Sequence, residues 1–373
     1  ATQSNRPAYL EIDLSAISAN IASVQNFVGP QTEILSVVKA NAYGHGIKPV
    51  AKAALKGGAS ALGVALIQEG VILRKAGIRA PIIVLGPALP EQAETIVIHE
   101  LSQTISNREI LIALETAAKS HKTRASVHLK IDTGMGRVGI SPAETMRFAH
   151  SIAKSSHLNF EGISTHIAWE RAGDMDRARH QIDTFNTCLS ELSDIPIRWR
   201  HTANSAMTVH LPNAHYDLVR VGLLTYGIPP TQGAGNIPLT PALSLKARIT
   251  QICDLAPGQT LSYGGTFTLT RPSRIALVPI GYADGYNRRL SNRAHVLICG
   301  QTCPVVGTVC MDIILIDITH VPQVQLGEEV VLLGQQDDHT ITVADLALWA
   351  DDIPHEVVSQ FHTRLPRHYT HLA

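Results

Sequence analysis

The chain has 373 residues, which is too long for one ordinary hydrophobic core, so we expect two domains. Hydrophobic residues make up 45% of it and charged residues only 17%, which suits a large, well-filled interior. Lys and Arg together number 31, as do Asp and Glu, so no net charge attracts nucleic acid or an anionic membrane.

Neither a membrane span nor a metal site is indicated. No apolar run approaches the length of a bilayer span, and the first twelve residues lack the charged-then-apolar layout of a signal peptide. We therefore expect a cytoplasmic protein, although the missing initial methionine leaves removal of an upstream segment, and so secretion, open. The five cysteines show no metal-type spacing, so we expect reduced thiols; zinc at Cys299 and Cys303 is the remote alternative.

Short apolar runs alternate with helix-length segments up to about residue 240. The runs are Ile34–Val38, Ala61–Ala65, Pro81–Leu85, Ser102–Ser106, Val127–Ile131, Phe160–Thr165, Arg200–Thr202 and Leu218–Val221. The segments with helical spacing include Pro49–Lys56, Glu91–His99, Arg108–Ser120, Ser141–Ser155 and Met175–Ser193. Eight strand–helix alternations predict a parallel (β/α)8 barrel of the TIM type over residues 12–240, with a doubly wound sheet as the alternative.

After about Thr240 the pattern changes to β-rich runs separated by Pro-Gly, Gly-Gly and Asp-Gly turn signals. These runs are Ser244–Asp254, Arg274–Pro279, Ala294–Leu297, Val305–Val309 and Ile313–Asp317. They predict a second, mostly antiparallel domain over residues 241–373. The strand-like Pro7–Leu14 can pair with it, so residues 1–11 are assigned there, and helix Ser15–Phe27 then leads into the barrel.

The ends of the predicted barrel strands carry several side chains that are able to take part in catalysis or ligand binding. In such barrels the active site is built where strands end in loops. Those ends hold Lys39, Leu85, Lys130, Arg137, His166, Asn204, Ser205, Arg220 and Gly222. Any one of them alone is better explained as an ordinary surface residue, but their convergence on one rim predicts a site.

Lys39 follows a buried strand in the stretch VVKANAYGHG, residues 37–46. Burial disfavours the charged form of an amine, and an uncharged amine can condense with an aldehyde cofactor. The loops after the last two strands of such barrels often bind a phosphate, and Ser205, Gly222 and Leu223 lie there. A lysine combined with a phosphate cradle indicates pyridoxal 5′-phosphate.

Residues 38–46, VKANAYGHG, resemble the pyridoxal-attachment motif of the alanine racemases. Further blocks resemble that family in the family's order along nearly the whole chain. They are residues 128–137 (HLKIDTGMGR), 165–166 (TH), 204–206 (NSA), 219–222 (VRVG), 262–266 (SYGGT), 281–286 (GYADGY) and 310–312 (CMD).

The resemblance implies a pyridoxal-phosphate-dependent racemase that interconverts L- and D-alanine, a peptidoglycan precursor, as a homodimer with shared sites. Two bases must flank the planar carbanion: Lys39 on the D side and Tyr263 of the partner subunit on the L side. A free tyrosine has a pKa of about 10, so His166 and Arg220 are expected to lower it. Arg220 would also donate a hydrogen bond, but no full proton, to the pyridine nitrogen, where an aspartate is commoner.

The remaining roles also follow from the resemblance. Residues assigned to the cofactor are Tyr43, Leu85, Asn204, Ser205, Gly222 and Leu223. Residues assigned to the substrate carboxylate and the entrance are Arg137, Met311, Asp312 and Tyr282. Lys130 resembles a family lysine that carries a carbamate; an ordinary pair with Asp132 is the alternative.

The clearest departure from the family is His355, in the stretch DIPHE, where the family usually has a tyrosine. That tyrosine binds the cofactor phosphate and narrows the pocket, so we expect a roomier pocket that admits serine or slightly larger amino acids, and a titration near neutrality. The alternative is an error in register that leaves His355 on the surface.

Two other functions remain open at this point. A fold-related amino acid decarboxylase would carry a cysteine loop in the β domain, which Cys310 faintly resembles, but Tyr263 and Arg220 argue against it. A non-enzymatic pyridoxal-phosphate carrier of the single-barrel kind would lack the β domain. A racemase of broader specificity is the nearest alternative, and the sequence leaves open whether the role is biosynthetic or catabolic.

Overall fold

The computed structural model describes residues 5–169, 175–230 and 233–371. The chain divides into two units. The barrel unit contains residues 16–42 and 47–240, and the β unit contains the chain up to Ser15, residues 43–46 and the chain from Pro241 onward. The predicted extents differ from this division at residues 12–15, because the first strand runs on to Asp13, and at 43–46, which contact the C-terminal segment.

The barrel unit is built on an eight-stranded parallel sheet. Its strands are β2 (Glu33–Val37), β3 (Ala61–Val64), β4 (Ile82–Val84), β5 (Ser102–Ile105), β6 (Ala125–Lys130), β7 (Leu158–Ser164), β8 (Trp199–His201) and β9 (Leu218–Val221). They pair in the order β8-β7-β6-β5-β4-β3-β2-β9. Backbone bonds from Asp217 N to Arg200 O (3.1 Å) and from Arg220 N to Ala203 O (2.9 Å) link the two end strands. The predicted (β/α)8 barrel is confirmed.

The helices of this part are α1 (Leu14–Val28), α2 (Lys39–Tyr43), α3 (Ile47–Lys56), α4 (Ile67–Lys75), α5 (Ala93–Ile98), α6 (Arg108–Ser120), α7 (Thr145–Lys154), α8 (Met175–Ser190) and α9 (Ser205–His210). Helix α6 shows why the sequence forms them. The Asn107 side chain accepts the N–H of Ile110 as an N-cap, and Ile110, Leu111 and Leu114 are buried on one face. No helix in the described ranges is long and apolar enough to cross a bilayer.

The β unit contains a seven-stranded sheet, a three-stranded sheet and a hairpin. The seven-stranded sheet contains β1 (Tyr9–Asp13), β10 (Leu243–Arg248), β15 (His295–Ile298), β16 (Gln301–Pro304), β18 (Glu329–Gln336), β19 (His339–Ile341) and β20 (Arg367–Thr370). The three-stranded sheet contains β11 (Gln251–Leu255), β14 (Ser273–Val278) and β17 (Ile314–Asp317), and the hairpin is β12 (Thr260–Leu261) with β13 (Phe267–Thr268). The pairs are antiparallel except β1 with β20, and α10 (Val343–Ala350) and α11 (Pro354–Ser359) follow β19. The predicted pairing of the N-terminal strand with this domain is confirmed.

Two predicted strands of the β unit are corrected. Ser244–Asp254 is not one strand, because β10 and β11 belong to different sheets. Val305–Val309 is not a strand: within the described residues only Val305 pairs, in an isolated bridge to Ile316. Val305 and Val309 are both buried, so the run is apolar because it packs in the core rather than because it extends a sheet.

Candidate active site

Lys39 begins α2, a short turn whose backbone is left-handed. Ala40, Asn41, Ala42 and Tyr43 have φ values of 51–54°, in the left-handed region that L residues rarely adopt. Three bonds hold the turn: Ala40 N donates to Glu69 Oε1 (2.6 Å), Ala42 N donates to Val38 O (2.9 Å), and Asn41 Oδ1 accepts the N–H of Ile47 (3.0 Å). The lysine is thus fixed at the strand end by an unfavourable backbone that its neighbours stabilise.

The Lys39 amine lies in basic surroundings. Its pKa is lowered by burial first and by Arg137 second, while Glu69 opposes the shift. Glu69 has another task, because its Oε2 accepts the N–H groups of Ala65 (2.9 Å) and Leu66 (3.1 Å) at the start of α4. An amine with a lowered pKa is the form that can act as a nucleophile or base.

Lys130, at the end of β6, is a second amine with a strongly lowered pKa. Burial is the main cause, followed by the charges of Arg220 and Arg137, with Asp132 opposing them. No hydrogen bond or ion pair of the Lys130 amine occurs in the described part of the chain. The Asp132 carboxylate instead accepts the backbone N–H groups of residues 134, 136 and 137 and so shapes the loop that carries Arg137.

Arg220 is buried at the end of β9 and fixes the proton positions of two histidines. Its Nη1 donates to Nδ1 of His201 (3.0 Å), and its Nη2 donates to Nδ1 of His166 (3.2 Å). Nη2 also donates to the carbonyl oxygens of Thr165 (3.1 Å) and Thr202 (2.9 Å). A guanidinium has donors only, so each ring accepts at Nδ1 and, when neutral, carries its proton on Nε2.

Both histidines are neutral at physiological pH. Burial, and next to it the charge of Arg220, lower the pKa of His166 and of His201 well below the ordinary value. Burial also lowers the pKa of Arg220 to about 10, which leaves it charged near neutrality. The bonds above leave the Nε–H and one Nη1 proton of Arg220 without an acceptor in the described residues.

The ends of β8 and β9 place two loops side by side. The Ser205 hydroxyl accepts the N–H of Gly222 (2.9 Å), which keeps the hydroxyl proton available for another acceptor. Asn204 caps α9 by accepting the N–H of Met207 (3.0 Å), and Leu223 begins a short 3-10 turn, so its N–H has no partner within that turn. Leu85 follows β4 on the same rim and is half-buried.

In the β unit, Tyr263 lies on an exposed turn at the tip of the hairpin. Its side chain is 74% exposed. Ser262 has a φ of 61°, and its hydroxyl donates to the carbonyl of Thr308 (2.6 Å), while the Thr308 hydroxyl donates to the carbonyl of Tyr263 (2.8 Å). The tyrosine is therefore presented to solvent on a backbone that is held from both sides.

Tyr282 and Met311 are held on two loops that pair directly. Tyr282 N donates to Cys310 O (3.0 Å) and Ala283 N donates to Met311 O (3.0 Å). A Cβ at Gly281 would lie 2.2 Å from Cys310 O, so only glycine allows this approach. Both side chains are exposed.

Asp312 belongs to an ion-pair network beneath the same loops. Arg364 pairs with Asp312 (2.6 Å) and with the fully buried Asp284 (3.4 Å), which also pairs with Arg6 (2.7 Å). Asp284 Oδ2 in turn accepts the N–H of Gly281 (3.2 Å). The network ties the exposed Asp312 to the turn that presents Tyr282.

Tyr43 and His355 are neighbours in the β unit, with ring centroids 5.9 Å apart. Tyr43 is buried, which raises its pKa to about 12. The segment after it is fixed, because a Cβ at Gly44 would lie 2.2 Å from Val358 O and because Arg367 Nε donates to Gly44 O (2.7 Å). His355 lies in α11 and is exposed.

Some residues of these groups had no predicted role. Glu69 and Arg364 are far in sequence from the motifs they support, whereas His201 and Asp284 lie beside or inside such motifs. For His201 a signal existed, because it precedes Asn204 by three residues at the end of the same strand, but a single histidine is usually a satisfied core residue. Asp284 lies inside the block at residues 281–286, where only Tyr282 was given a role, and Arg364 offered no comparable signal.

Comparisons with known proteins cover both units. Residues 12–230 match the family model "Alanine racemase, N-terminal domain", and residues 242–369 match "Alanine racemase, C-terminal domain". The chain belongs to the alanine racemase family. Among curated members, it is 44% identical to an alanine racemase of Symbiobacterium thermophilum and 42% identical to one of Halothermothrix orenii, each over 98% of this chain and 97% of that protein.

Solved structures of alanine racemases show the same fold. The enzyme from D-cycloserine-producing Streptomyces lavendulae superposes with a TM-score of 0.94 at 32% identity, covering 98% of both chains. The enzyme from Bacillus anthracis with bound L-Ala-P has a TM-score of 0.90 at 35% identity, covering 98% of this chain and 95% of that one. The predicted resemblance to alanine racemases is confirmed over both domains, and the single-barrel carrier is therefore wrong.

Proposed function

We propose that the chain interconverts L- and D-alanine with bound pyridoxal 5′-phosphate by a two-base mechanism. The observation that carries this proposal is the hydrogen-bond pattern of Arg220. It leaves donors free for a ring nitrogen, and it gives His166 a proton on Nε2. The family supports the same activity.

The residues present fit the cofactor. The mouth of the barrel gathers the side chains Lys39, Lys130, Arg137 and Arg220. Burial is the main cause of the lowered pKa of both lysines, and the charge of Arg137, joined at Lys130 by that of Arg220, adds to it. Such a cluster favours anionic groups, here a phosphate and a substrate carboxylate. Ser205 offers a hydroxyl proton on the rim where barrels of this type bind phosphate.

The proposed holding groups keep the roles that the family resemblance implies. Lys39 would hold the cofactor covalently, and Arg220 would donate to its ring nitrogen. The groups assigned to the phosphate are Tyr43, Asn204, Ser205, Gly222, Leu223 and His355, and Leu85 is assigned to the ring. When bound, the cofactor supplies an electron sink for the electron pair left by removal of the α-proton.

Lys39 and Tyr263 of the partner subunit would act as the two bases. Lys39 has the lowered pKa that an amine needs to take a proton near neutrality. A tyrosine needs a hydrogen-bond donor to hold its oxygen as an anion, and neutral His166 carries its spare proton on Nε2. The side-chain exposure of Tyr263 (74%) and Met311 (52%) supports a homodimer, because large apolar side chains at a surface often mark an interface.

Arg220 would set the strength of the electron sink. With its pKa at about 10 it keeps its proton near neutrality, so it donates a hydrogen bond without transferring charge to the ring. Such a bond would leave the electron sink weaker than a protonated ring would, and it would limit protonation at the wrong carbon.

Lys130 would act through a carbamate. A carbamate forms from carbon dioxide and an uncharged amine, and the Lys130 pKa is strongly lowered by burial, Arg220 and Arg137. Asp132, the alternative partner, is committed to backbone N–H groups. The carbamate anion would hold Arg137, which together with Met311 of the partner subunit would receive the substrate carboxylate, with Tyr282 and Asp312 at the entrance.

Lys130→Ala should lower kcat/KM for alanine by roughly 10- to 100-fold, as loss of a supporting anion does. Added chloride or acetate should restore part of the activity by replacing the anion. Lys154→Ala, on the exposed end of α7, is the control and should behave as wild type. Electron density for a bare amine at Lys130 in crystals grown near neutral pH would contradict the carbamate.

His355 would give this chain a roomier pocket than its relatives, because imidazole is shorter than the family's phenol. Its position beside Tyr43, 5.9 Å between ring centroids, supports the predicted register. We expect serine and slightly larger amino acids to compete with alanine. We also expect a titration near neutrality, because an imidazole facing a phosphate dianion holds its proton more firmly.

His355→Tyr should lower the serine-to-alanine ratio of kcat/KM by about tenfold and remove the near-neutral inflection, since one small group in a pocket discriminates by that order. His339→Tyr, on exposed β19, is the matched control. An unchanged ratio together with an unchanged pH profile would leave His355 outside the site.

The direct test of the activity is incubation of the pyridoxal-phosphate-loaded protein with L-alanine in deuterated water. Racemisation should remove the optical rotation and place deuterium on the α-carbon. Release of carbon dioxide from L-amino acids without loss of optical rotation would instead identify a fold-related decarboxylase.

A further inference from the structure

A chain of buried hydrogen bonds runs from Arg220 through two histidines to a carboxylate. His201, which accepts from Arg220, has its Nε2 2.9 Å from Nδ1 of His128. Nε2 of His128 lies 3.0 Å from Oε2 of Glu161, and the Ser102 hydroxyl donates to the same oxygen (2.5 Å). Both imidazoles are at most 1% exposed, so water does not interrupt the chain.

The chemistry of the two ends fixes every proton in the chain. Arg220 can only donate, so His201 accepts at Nδ1 and donates from Nε2. His128 must then accept at Nδ1, and it donates from Nε2 to Glu161. Burial is the largest effect on the Glu161 carboxyl and raises its pKa, but the interactions with His128, the bond from Ser102 and the charge of Arg198 together lower the pKa by more.

The fold makes room for this contact between β6 and β8. The two histidines meet across β7, where a Cβ at Gly162 would lie 2.2 Å from Nδ1 of His128. Trp199 packs on the His128 ring, with centroids 6.0 Å apart, and its Nε1 donates to Glu33 (3.1 Å). Gly162 therefore leaves room for the His128 ring, and Trp199 packs against that ring and fixes its position.

We propose that Glu161, acting through His128 and His201, is a positioning residue for Arg220. The Glu161 carboxylate can only accept, so it keeps His201 in the tautomer whose Nδ1 accepts a hydrogen bond from the guanidinium. Hydrogen bonds that all donate in the same direction along a chain also polarise one another. In the reversed tautomer His201 would point an N–H at the guanidinium and displace it. The role assigned to Arg220 rests on the proposed function, but the proton order of the chain does not.

The test combines tautomer and kinetic measurements on the pyridoxal-phosphate-loaded protein. In wild type labelled with 15N-histidine, long-range 1H–15N spectra should show His201 unprotonated at Nδ1 and protonated at Nε2. Glu161→Gln replaces the carboxylate with an amide that can also donate, so the Nδ1 signal of His201 should shift toward the protonated form. We expect kcat for alanine to fall about tenfold with KM within about threefold, as loss of an outer partner of a catalytic group does.

Phe185→Leu is the control, because it disturbs the barrel core at the fully buried Phe185 of α8 without touching the hydrogen-bond chain. It should lower the melting temperature but keep the wild-type His201 signals and kcat. A proton on Nδ1 of His201 in wild type would overturn the proposal even if no variant folds. Unchanged signals and kcat in Glu161→Gln, or the same changes in Phe185→Leu, would also overturn it. Absence of alanine racemisation with the wild-type tautomers in place would refute the proposed function alone.

Discussion

Lys39→Ala should remove both the near-visible absorption of the purified protein and its racemase activity. The amine is the proposed covalent attachment and one of the two bases, so we expect a loss of about four orders of magnitude or more. Treatment with borohydride before denaturation should leave the chromophore on the wild-type chain and none on the variant. The measurements are absorption spectra and initial rates with each enantiomer of alanine.

The matched control is Lys52→Ala, an exposed lysine of α3, which should keep the chromophore and the activity. A borohydride-stable chromophore on the Lys39→Ala chain would assign the attachment to another residue.

Mixing two inactive variants, Lys39→Ala and Tyr263→Phe, should restore activity. In a heterodimer with shared sites, one site combines both defects and the other is intact. Random exchange of equal amounts makes half of the dimers mixed, so we expect about a quarter of the wild-type activity. The measurement is the racemisation rate after subunit exchange, with the fraction of mixed dimers determined by native mass spectrometry of tagged chains.

The control is a mixture of Lys39→Ala with Arg220→Ala, both in the barrel unit. Each site of that heterodimer then retains one barrel defect, so no activity should return. If mixed dimers form and the first mixture also stays inactive, Tyr263 acts within its own chain.

The barrel strands could be predicted from the sequence because a parallel strand is buried on both faces and therefore consists of a continuous run of apolar residues. Ala61–Ala65 became β3, Ala61–Val64, and Leu218–Val221 became β9 without change. The same reasoning failed for Val305–Val309, because an apolar run records burial and not pairing. Periodicity therefore predicted the architecture of the barrel better than that of the β unit.

The site was predictable where its residues stand in contiguous motifs and not where distant strands supply them. Lys39 and Tyr263 are recognisable from the residues beside them. His128 and His201 are 73 residues apart and meet only because β6 and β8 flank the same strand, so no local pattern reveals their bond. The left-handed turn was equally hidden, since the residues that adopt it, Ala-Asn-Ala-Tyr, include no glycine.

That turn reverses the usual rule of substitution at one short segment of the chain. In an ordinary helix, alanine is about 1 kcal/mol more favourable than glycine. At Ala40 and Ala42 the order is inverted, because an L residue in a left-handed helical conformation costs roughly 1–2 kcal/mol that glycine avoids. Glycine there would make the protein more stable but loosen the backbone next to the lysine. Selection for thermal stability alone would therefore favour glycine at these positions and leave the Lys39 amine less precisely positioned.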